Sequence, residues 1–429
     1  MMKILFILPY DNTYHRSGNF TRSLSYAPLT LTTLAALVPD KLNTDITIID
    51  EGVDKPLMEG EFDIVAITCV TSSAKRAYSL CRYWKEKGSY IILGGSHPTL
   101  MPDEAAEYAD SVFTGLAEET FPRFFDDFIK GMPKAVYQAE QKCGPLSMPT
   151  PRRDLLSKEY MKIPTVISNR GCHNNCAFCS IPRLYGNTGF ERPINEFIEE
   201  IKSLNQKRYL LLDPSLSSDR EYAIELFKAL SPLKIEWGGL STIDIAEDDE
   251  LFDLMVKSGC NGILAGFESV NDDNLKDIGK KTNQVSKYKQ AVTKFHKAGI
   301  PVLGCFVMGF DNDTVASLHD MVEVIDEIGI DVPRFSILTP FPNTALFEQY
   351  NKQGRIITQN WDNYDTMHVV FEPKNMTPQE LQQTFYNVWQ KTYKTKRIFK
   401  RVLNSRYNRF LNLMTNIGFK YYAGRLPDA

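Results

Sequence analysis

RGCHNNCAFCSIP, residues 170–182, sets Cys172, Cys176 and Cys179 at spacing C-x3-C-x2-C, while the other five of the chain's 8 cysteines are scattered. The run follows TVISN (165–169), a short apolar stretch of strand length, so the three thiols sit on a loop beyond a strand's carboxyl end. TVISN is the first of six such runs. The others are RYLLLD (208–213), IEWGGLS (235–241), GILAGFE (262–268), VLGCFVMG (302–309) and RFSILTP (334–340). Amphipathic segments such as INEFIEEIKSLN (194–205) and KYKQAVTKFHKAG (287–299) separate them. Strand and helix patterns in alternation predict a full or partial parallel (β/α)6 barrel, in which chemistry sits at the carboxyl ends of the strands.

Upstream the same alternation occurs on a smaller scale. KILFILPY (3–10), DITIID (45–50), DIVAITCV (63–70), YIILGG (90–95) and SVFTG (111–115) are apolar runs bounded by Asp, Gly and Ser. They predict a doubly wound parallel sheet, whose ligands bind beyond the carboxyl ends of its strands. Residues 136–165 lose the pattern and hold Pro145, Pro149, Pro151 and Pro164, as a linker does. The α/β chain therefore divides into a Rossmann-like domain at 1–135, a linker at 136–165, a barrel at 166–345 and a carboxyl extension at 346–429.

Composition places the chain among soluble globular proteins, with 43% hydrophobic and 24% charged residues. Its opening, MMKILFILPYDN, meets Asp11 where a secretory leader would have small residues, and reads as a β-strand. Unpaired cysteines at uneven spacings suit a reducing cytoplasm. A net charge of −4 gives no case for nucleic acid. The charge is uneven, however: residues 391–429 carry ten Lys/Arg and one acid, or +9, which leaves −13 for residues 1–390. That helical tail suits either a surface helix meeting anionic lipid or a polyanion, or a basic helix docked on the acidic body of its own chain. Docking is the plainer expectation.

Three readings compete for the cysteines. On a helix they would form a buried i, i+4, i+7 stripe, but Gly171 and Asn174-Asn175 oppose a helix there. A structural zinc site needs four ligands, and the only nearby candidate, His173, adjoins Cys172. An iron–sulfur cubane normally takes four thiolates, so three would leave one iron open to a small molecule. Cys172, Cys176, Phe178 and Cys179 match C-x3-C-x-(aromatic)-C, and the stretch resembles the radical S-adenosylmethionine family. Gly266-Phe267-Glu268-Ser269 is similar to that family's ribose and methionine contacts, and Val307-Met308-Gly309 to its adenine-contacting strand. LTPFPNT (338–344) resembles its Thr-Pro-x-Pro-Gly-Thr turn, with Asn343 in place of glycine. Asp213-Pro214-Ser215 departs from the family's Gly-Gly-Glu. There Asp213 or Ser215 either holds the amine of S-adenosylmethionine or caps the following turn.

The amino-terminal domain resembles the cobalamin-binding domain of one radical branch, through Thr71-Ser72-Ser73, Gly94-Gly95 in GGSHPTLMP, and Gly115 in TGLAEET. His15, in Asp11-x3-His15-x2-Gly18, is one residue out of register with a cobalt-ligating motif, and a plain loop histidine is the expectation. The resemblance implies a [4Fe–4S] cluster, S-adenosylmethionine, cobalamin and a low-potential donor of the flavodoxin or ferredoxin type. The implied activity is methylation of an unactivated carbon of a small-molecule or lipid-like substrate; the alternative is a radical rearrangement, cyclisation or oxidation without methyl transfer. RNA methylthiolation would need a second cysteine set and a basic module, and Cys69, Cys81 and Cys143 lack such spacing. A bare corrinoid carrier would not need the three cysteines. No catalytic acid or base is legible; Tyr185, Arg192, Asp244, Thr339 and Trp361 are unranked candidates to face the cavity.

Overall fold

The computed structural model describes residues 1–11, 26–140, 144–157, 160–405 and 409–426. His15 and Cys143 lie outside them.

The first domain is one parallel sheet. Its strands are β1 (Met2–Leu8), β2 (Thr44–Asp50), β3 (Ile64–Thr68), β4 (Tyr90–Gly94), β5 (Ser111–Thr114) and β6 (Val136–Gln138), in the order β2-β1-β3-β4-β5-β6. Both faces are covered, as a run such as ILFI requires. Ile4, Phe6, Ile64, Ala66, Ile92 and Phe113 pack on one side, and Leu5, Ile7, Val65, Ile67 and Leu93 on the other. The order reverses at β1 and β3, so the crevice beyond their carboxyl ends is the expected ligand seat. β6 falls within the stretch expected as linker, where it extends the sheet beside β5.

The second domain begins with β7 (Thr165–Val166), which is short because the chain turns off to form an antiparallel pair, β8 (Asn169–Gly171) with β9 (Gly189–Glu191), flanking the cysteine loop. β10 (Arg208–Leu211), β11 (Glu236–Ser241), β12 (Cys260–Glu268), β13 (Val302–Met308) and β14 (Val332–Ile337) follow. The order β14-β13-β12-β11-β10-β7 makes six parallel strands with β7 and β14 as edges, so the barrel is partial. The carboxyl extension clamps the two domains. Trp361 and Tyr364 join the core of the first sheet, and the Trp361 indole donates to Glu104 Oε1 at 2.9 Å. Helix Pro378–Thr392 sends Leu381, Phe385 and Trp389 into the barrel core.

Candidate active site

The cysteine loop is held by backbone contacts from three directions. Gly171 has φ +89, and a Cβ there would lie 2.2 Å from the Thr188 carbonyl, so only glycine fits. Ala177 N donates to Ile278 O beyond β12, and Leu346 N donates to Ala177 O, both at 3.0 Å. Within the loop Cys179 N donates to Cys176 O. Phe178 packs against the barrel core. His173 is spent on bracing: its Nδ1 lies 3.0 Å from Ser218 O, and its Nε2 accepts from Gly189 N at 3.2 Å. Glu191 and Asp219 converge on it, but Asp219 caps helix Arg220–Leu230 by accepting from Tyr222 N. The zinc reading therefore loses its fourth ligand.

Burial pushes the Cys176 thiol up, and Cys179 up to about 12, with Lys280 opposing in both cases. Cys172 and Cys176 each raise Cys179, so the three sulfurs share one field. Such thiols ionise when a metal takes them, and a set of soft thiolates on an irregular loop fits an iron–sulfur cluster.

Beside them Lys280 Nζ lies 3.0 Å from Glu268 Oε1, each side chain about nine-tenths buried. Burial opposes the charge on Lys280, but Glu268 and Cys176 outweigh it and hold its pKa high. Glu268 sits at φ +62, a left-handed conformation rare outside glycine. Asn283 Nδ2 donates to Gly266 O and Phe267 O, and Tyr288 OH donates to Phe267 O, which fixes this strand end. Ser269 Oγ accepts from Asn271 N and Asn274 Nδ2. Lys280→Met should leave a buried carboxylate unpaired and lower the unfolding free energy by about 3–5 kcal/mol, with Glu268→Gln restoring part of it. Denaturant melts of the two variants check this.

Asp213 has a divided role. Its Oδ1 accepts from Ser168 N at 2.7 Å, Ser168 Oγ at 2.9 Å and Asn169 N, pinning the turn that launches β8. Burial pushes its carboxyl up to about 6 against those hydrogen bonds. Its Oδ2 and Ser215 Oγ are buried without a protein partner, two acceptors left over for an amine. Val307 is half-buried on the face of β13 that carries Cys305, whereas Met308 turns into the core. Gly309, at φ +104, is dictated by the carboxyl extension: a Cβ would lie 2.7 Å from Leu381. Asn343 takes φ +61, the left-handed turn that its place in LTPFPNT demands.

The carboxyl ends of both sheets open on one cavity of about 480 Å³. Leu8, Thr68, Gly94, Gly95 and Gly115 line it from the first domain; Ile167, Arg170, Tyr185, Leu212 and Pro214 line it from the barrel. Gly95 is at φ +108 and a Cβ would sit 2.6 Å from Cys69 O, so only glycine fits at this strand end. Glu118 reaches across to Arg170, two residues before Cys172, at 2.6 Å. Thr71 and Ser72 are outside this lining. Thr71 turns to His97, and Ser72 Oγ donates to Asp11 at 2.9 Å, because the one-turn helix after β3 points them back along the domain. His97 is buried with its Nε2 3.0 Å from Tyr78 OH, and burial lowers its pKa, as for a structural neutral histidine.

Two family models match the chain, the radical SAM superfamily over residues 166–325 and the B12 binding domain over 21–125. The chain is 31% identical to bacteriochlorophyllide d C-12(1)-methyltransferase of Chlorobaculum tepidum, over 91% of its own length and 88% of that protein. The chain belongs to the cobalamin-binding radical S-adenosylmethionine enzymes. The same organism's bacteriochlorophyllide d C-8(2)-methyltransferase is 29% identical, covering 91% of each chain. The solved structure of TsrM, a radical S-adenosylmethionine methyltransferase from Kitasatospora setae with cobalamin and a [4Fe–4S] cluster bound, shares the fold at TM-score 0.65 and 14% identity, covering 90% of this chain and 85% of that one.

The enzyme's cofactors are thus a [4Fe–4S] cluster, S-adenosylmethionine and cobalamin. Of the side chains considered for the cavity, Tyr185 lines it. Arg192 is buried in an ion pair with Glu200, Thr339 Oγ1 donates to Ile337 O, and Trp361 packs on His97. Burial raises the Asp244 carboxyl pKa, while a hydrogen bond with Thr242 opposes the shift. Lys280, Glu118 and Arg170 were not legible as site residues, since each matters through a partner distant in sequence.

Proposed function

We propose that the enzyme is a cobalamin-dependent C-methyltransferase acting on an unactivated carbon of a small-molecule or lipid-like substrate. One observation carries this reading: the glycine-lined strand ends share a single cavity with Arg170 and Ile181, the residues that bracket the cysteine loop, so a substrate there would lie between the two seats. When bound, the cofactors supply a 5′-deoxyadenosyl radical and a transferable methyl group. The chain's part is placement and protection. Cys172, Cys176 and Cys179 hold the cluster, and Lys280 offsets its negative charge. Asp213 Oδ2 and Ser215 Oγ would accept from the amino group of S-adenosylmethionine, Glu268 and Ser269 would serve its ribose and methionine end, and Val307 and the Met308-Gly309 backbone its adenine. Gly94, Gly95 and Gly115 give the corrinoid its seat. The Arg170–Glu118 pair holds the two seats at one separation, and Ile167, Leu212 and Pro214 keep the space between them dry. A low-potential donor of the flavodoxin or ferredoxin type supplies the electron. The methyltransferase names of both Chlorobaculum relatives support methyl transfer.

The test is anaerobic reconstitution with iron, sulfide and hydroxocobalamin, followed by product analysis with candidate substrates. Methyl transfer predicts 5′-deoxyadenosine and S-adenosylhomocysteine in equal amounts alongside a methylated product. 5′-Deoxyadenosine with a transformed, unmethylated product would overturn it in favour of radical rearrangement, cyclisation or oxidation.

A further inference from the structure

The end of the chain packs Leu413, Phe419 and Tyr422 on the barrel core yet keeps a second apolar face toward solvent. Helix Arg409–Ala423 buries Asn412, Asn416 and Ala423, while Phe410, Met414, Ile417 and Tyr421, spaced along one face, are 72%, 49%, 46% and 60% exposed. The asparagines are tied to the body: Asn416 Nδ2 donates to Asp331 O at 3.1 Å and Asn412 Nδ2 to Asp331 Oδ1 at 3.4 Å. Next to it, helix Thr395–Asn404 buries Ile398 and Val402 but exposes Phe399 and Leu403. An ordinary surface helix carries one apolar stripe, turned to the core; these two carry bulky apolar residues on the outer side as well.

Part of the tail's positive charge is consumed by docking. Arg397 pairs with Glu323 at 2.5 Å and with Asp326, Lys391 with Glu323 at 3.2 Å, and Arg401 with Asp326 at 3.5 Å. Lys394, Lys396 and Lys400 are exposed and bond through their side chains to no other described residue. No acidic residue occurs between Lys391 and Leu426. The outer face therefore joins bulky apolar side chains to free cations.

We propose that this face seats the enzyme on an anionic lipid bilayer, lying in the interface with Phe410, Met414, Ile417 and Tyr421 immersed. Charge selects this occupant over a second copy of the chain, because a two-fold contact would set the face's own lysines against each other. The helix is too short and polar to cross a membrane, so it rests on one. The surface needs neither cofactor nor substrate.

The experiment is co-sedimentation of the full chain with phosphatidylcholine vesicles, with and without phosphatidylglycerol, at low and high salt. Binding is expected only to the phosphatidylglycerol vesicles and should weaken as salt rises. Lys396→Ala/Lys400→Ala should weaken binding about thirtyfold. Met414→Glu/Ile417→Glu should lose at least about tenfold. Both pairs are exposed, and an unchanged melting curve confirms folding. Equal sedimentation with neutral and anionic vesicles, or none with either, would sink the proposal. So would a light-scattering dimer that Met414→Glu/Ile417→Glu dissolves while vesicles go unbound.

Discussion

Alanine at Cys172, Cys176 or Cys179 should abolish the enzyme's 5′-deoxyadenosine production, a loss of more than about a hundredfold, since even outer-shell changes at metal sites cost up to that much. The loop offers three thiolates and no spare. His173 has both ring nitrogens engaged by Ser218 and Gly189, so it cannot take over a vacated position without releasing the loop. Losing one sulfur would also leave a buried site with fewer anions beside Lys280. Iron and sulfide analysis after anaerobic reconstitution should show the cluster lost in each variant. Cys260→Ala is the matched control, because Cys260 is a buried thiol whose Sγ contacts Gly262 O away from the loop. It should assemble a full cluster. A Cys176→Ala protein that kept its iron and its radical chemistry would remove the cluster assignment altogether.

The eleven principal strands were legible because most are short apolar runs closed by Asp, Gly or Ser, and burial on both faces of a parallel sheet demands that pattern. What escaped was structure made by pairing alone. Val136–Gln138 is exposed, buried, exposed, and has strand form only because β5 lies beside it. Asn169–Gly171 and Gly189–Glu191 have no apolar period, and hold each other across the cysteine loop. The cluster ligands were legible because chemistry fixes their spacing within one loop. Lys280, in the polar run GKKTN, carries no motif of its own, and only the fold brings it to Glu268. Thr71 and Ser72, polar residues at a strand end that suit a ligand, hydrogen-bond to His97 and Asp11. The tail's charge could be counted in advance; that Asn412 and Asn416 point inward while Phe399 and Phe410 face solvent could not.

Gly94→Leu should separate the two halves of the reaction. Unlike Gly95, Gly94 has an ordinary backbone conformation, and a Cβ there would lie 3.4 Å from Phe113 Cβ, a normal contact. Leucine is therefore tolerated by the strand. Alternation along β4 puts residue 94 on the face of Ile92, the face that Ala66 and Phe113 share and from which the cavity opens. The added side chain must then occupy space in the proposed corrinoid seat. Overpacking of about 1–3 kcal/mol corresponds to roughly five- to 150-fold weaker corrinoid binding. Since the cysteine loop lies on the opposite wall, iron content and 5′-deoxyadenosine formation should persist while methylated product falls with corrinoid occupancy. Gly95→Ala cannot make this distinction, because at φ +108 its methyl would collide with Cys69 O and disturb the strand end itself. Corrinoid bound at full stoichiometry by Gly94→Leu would place the cobalamin seat elsewhere than the cavity between the two sheets.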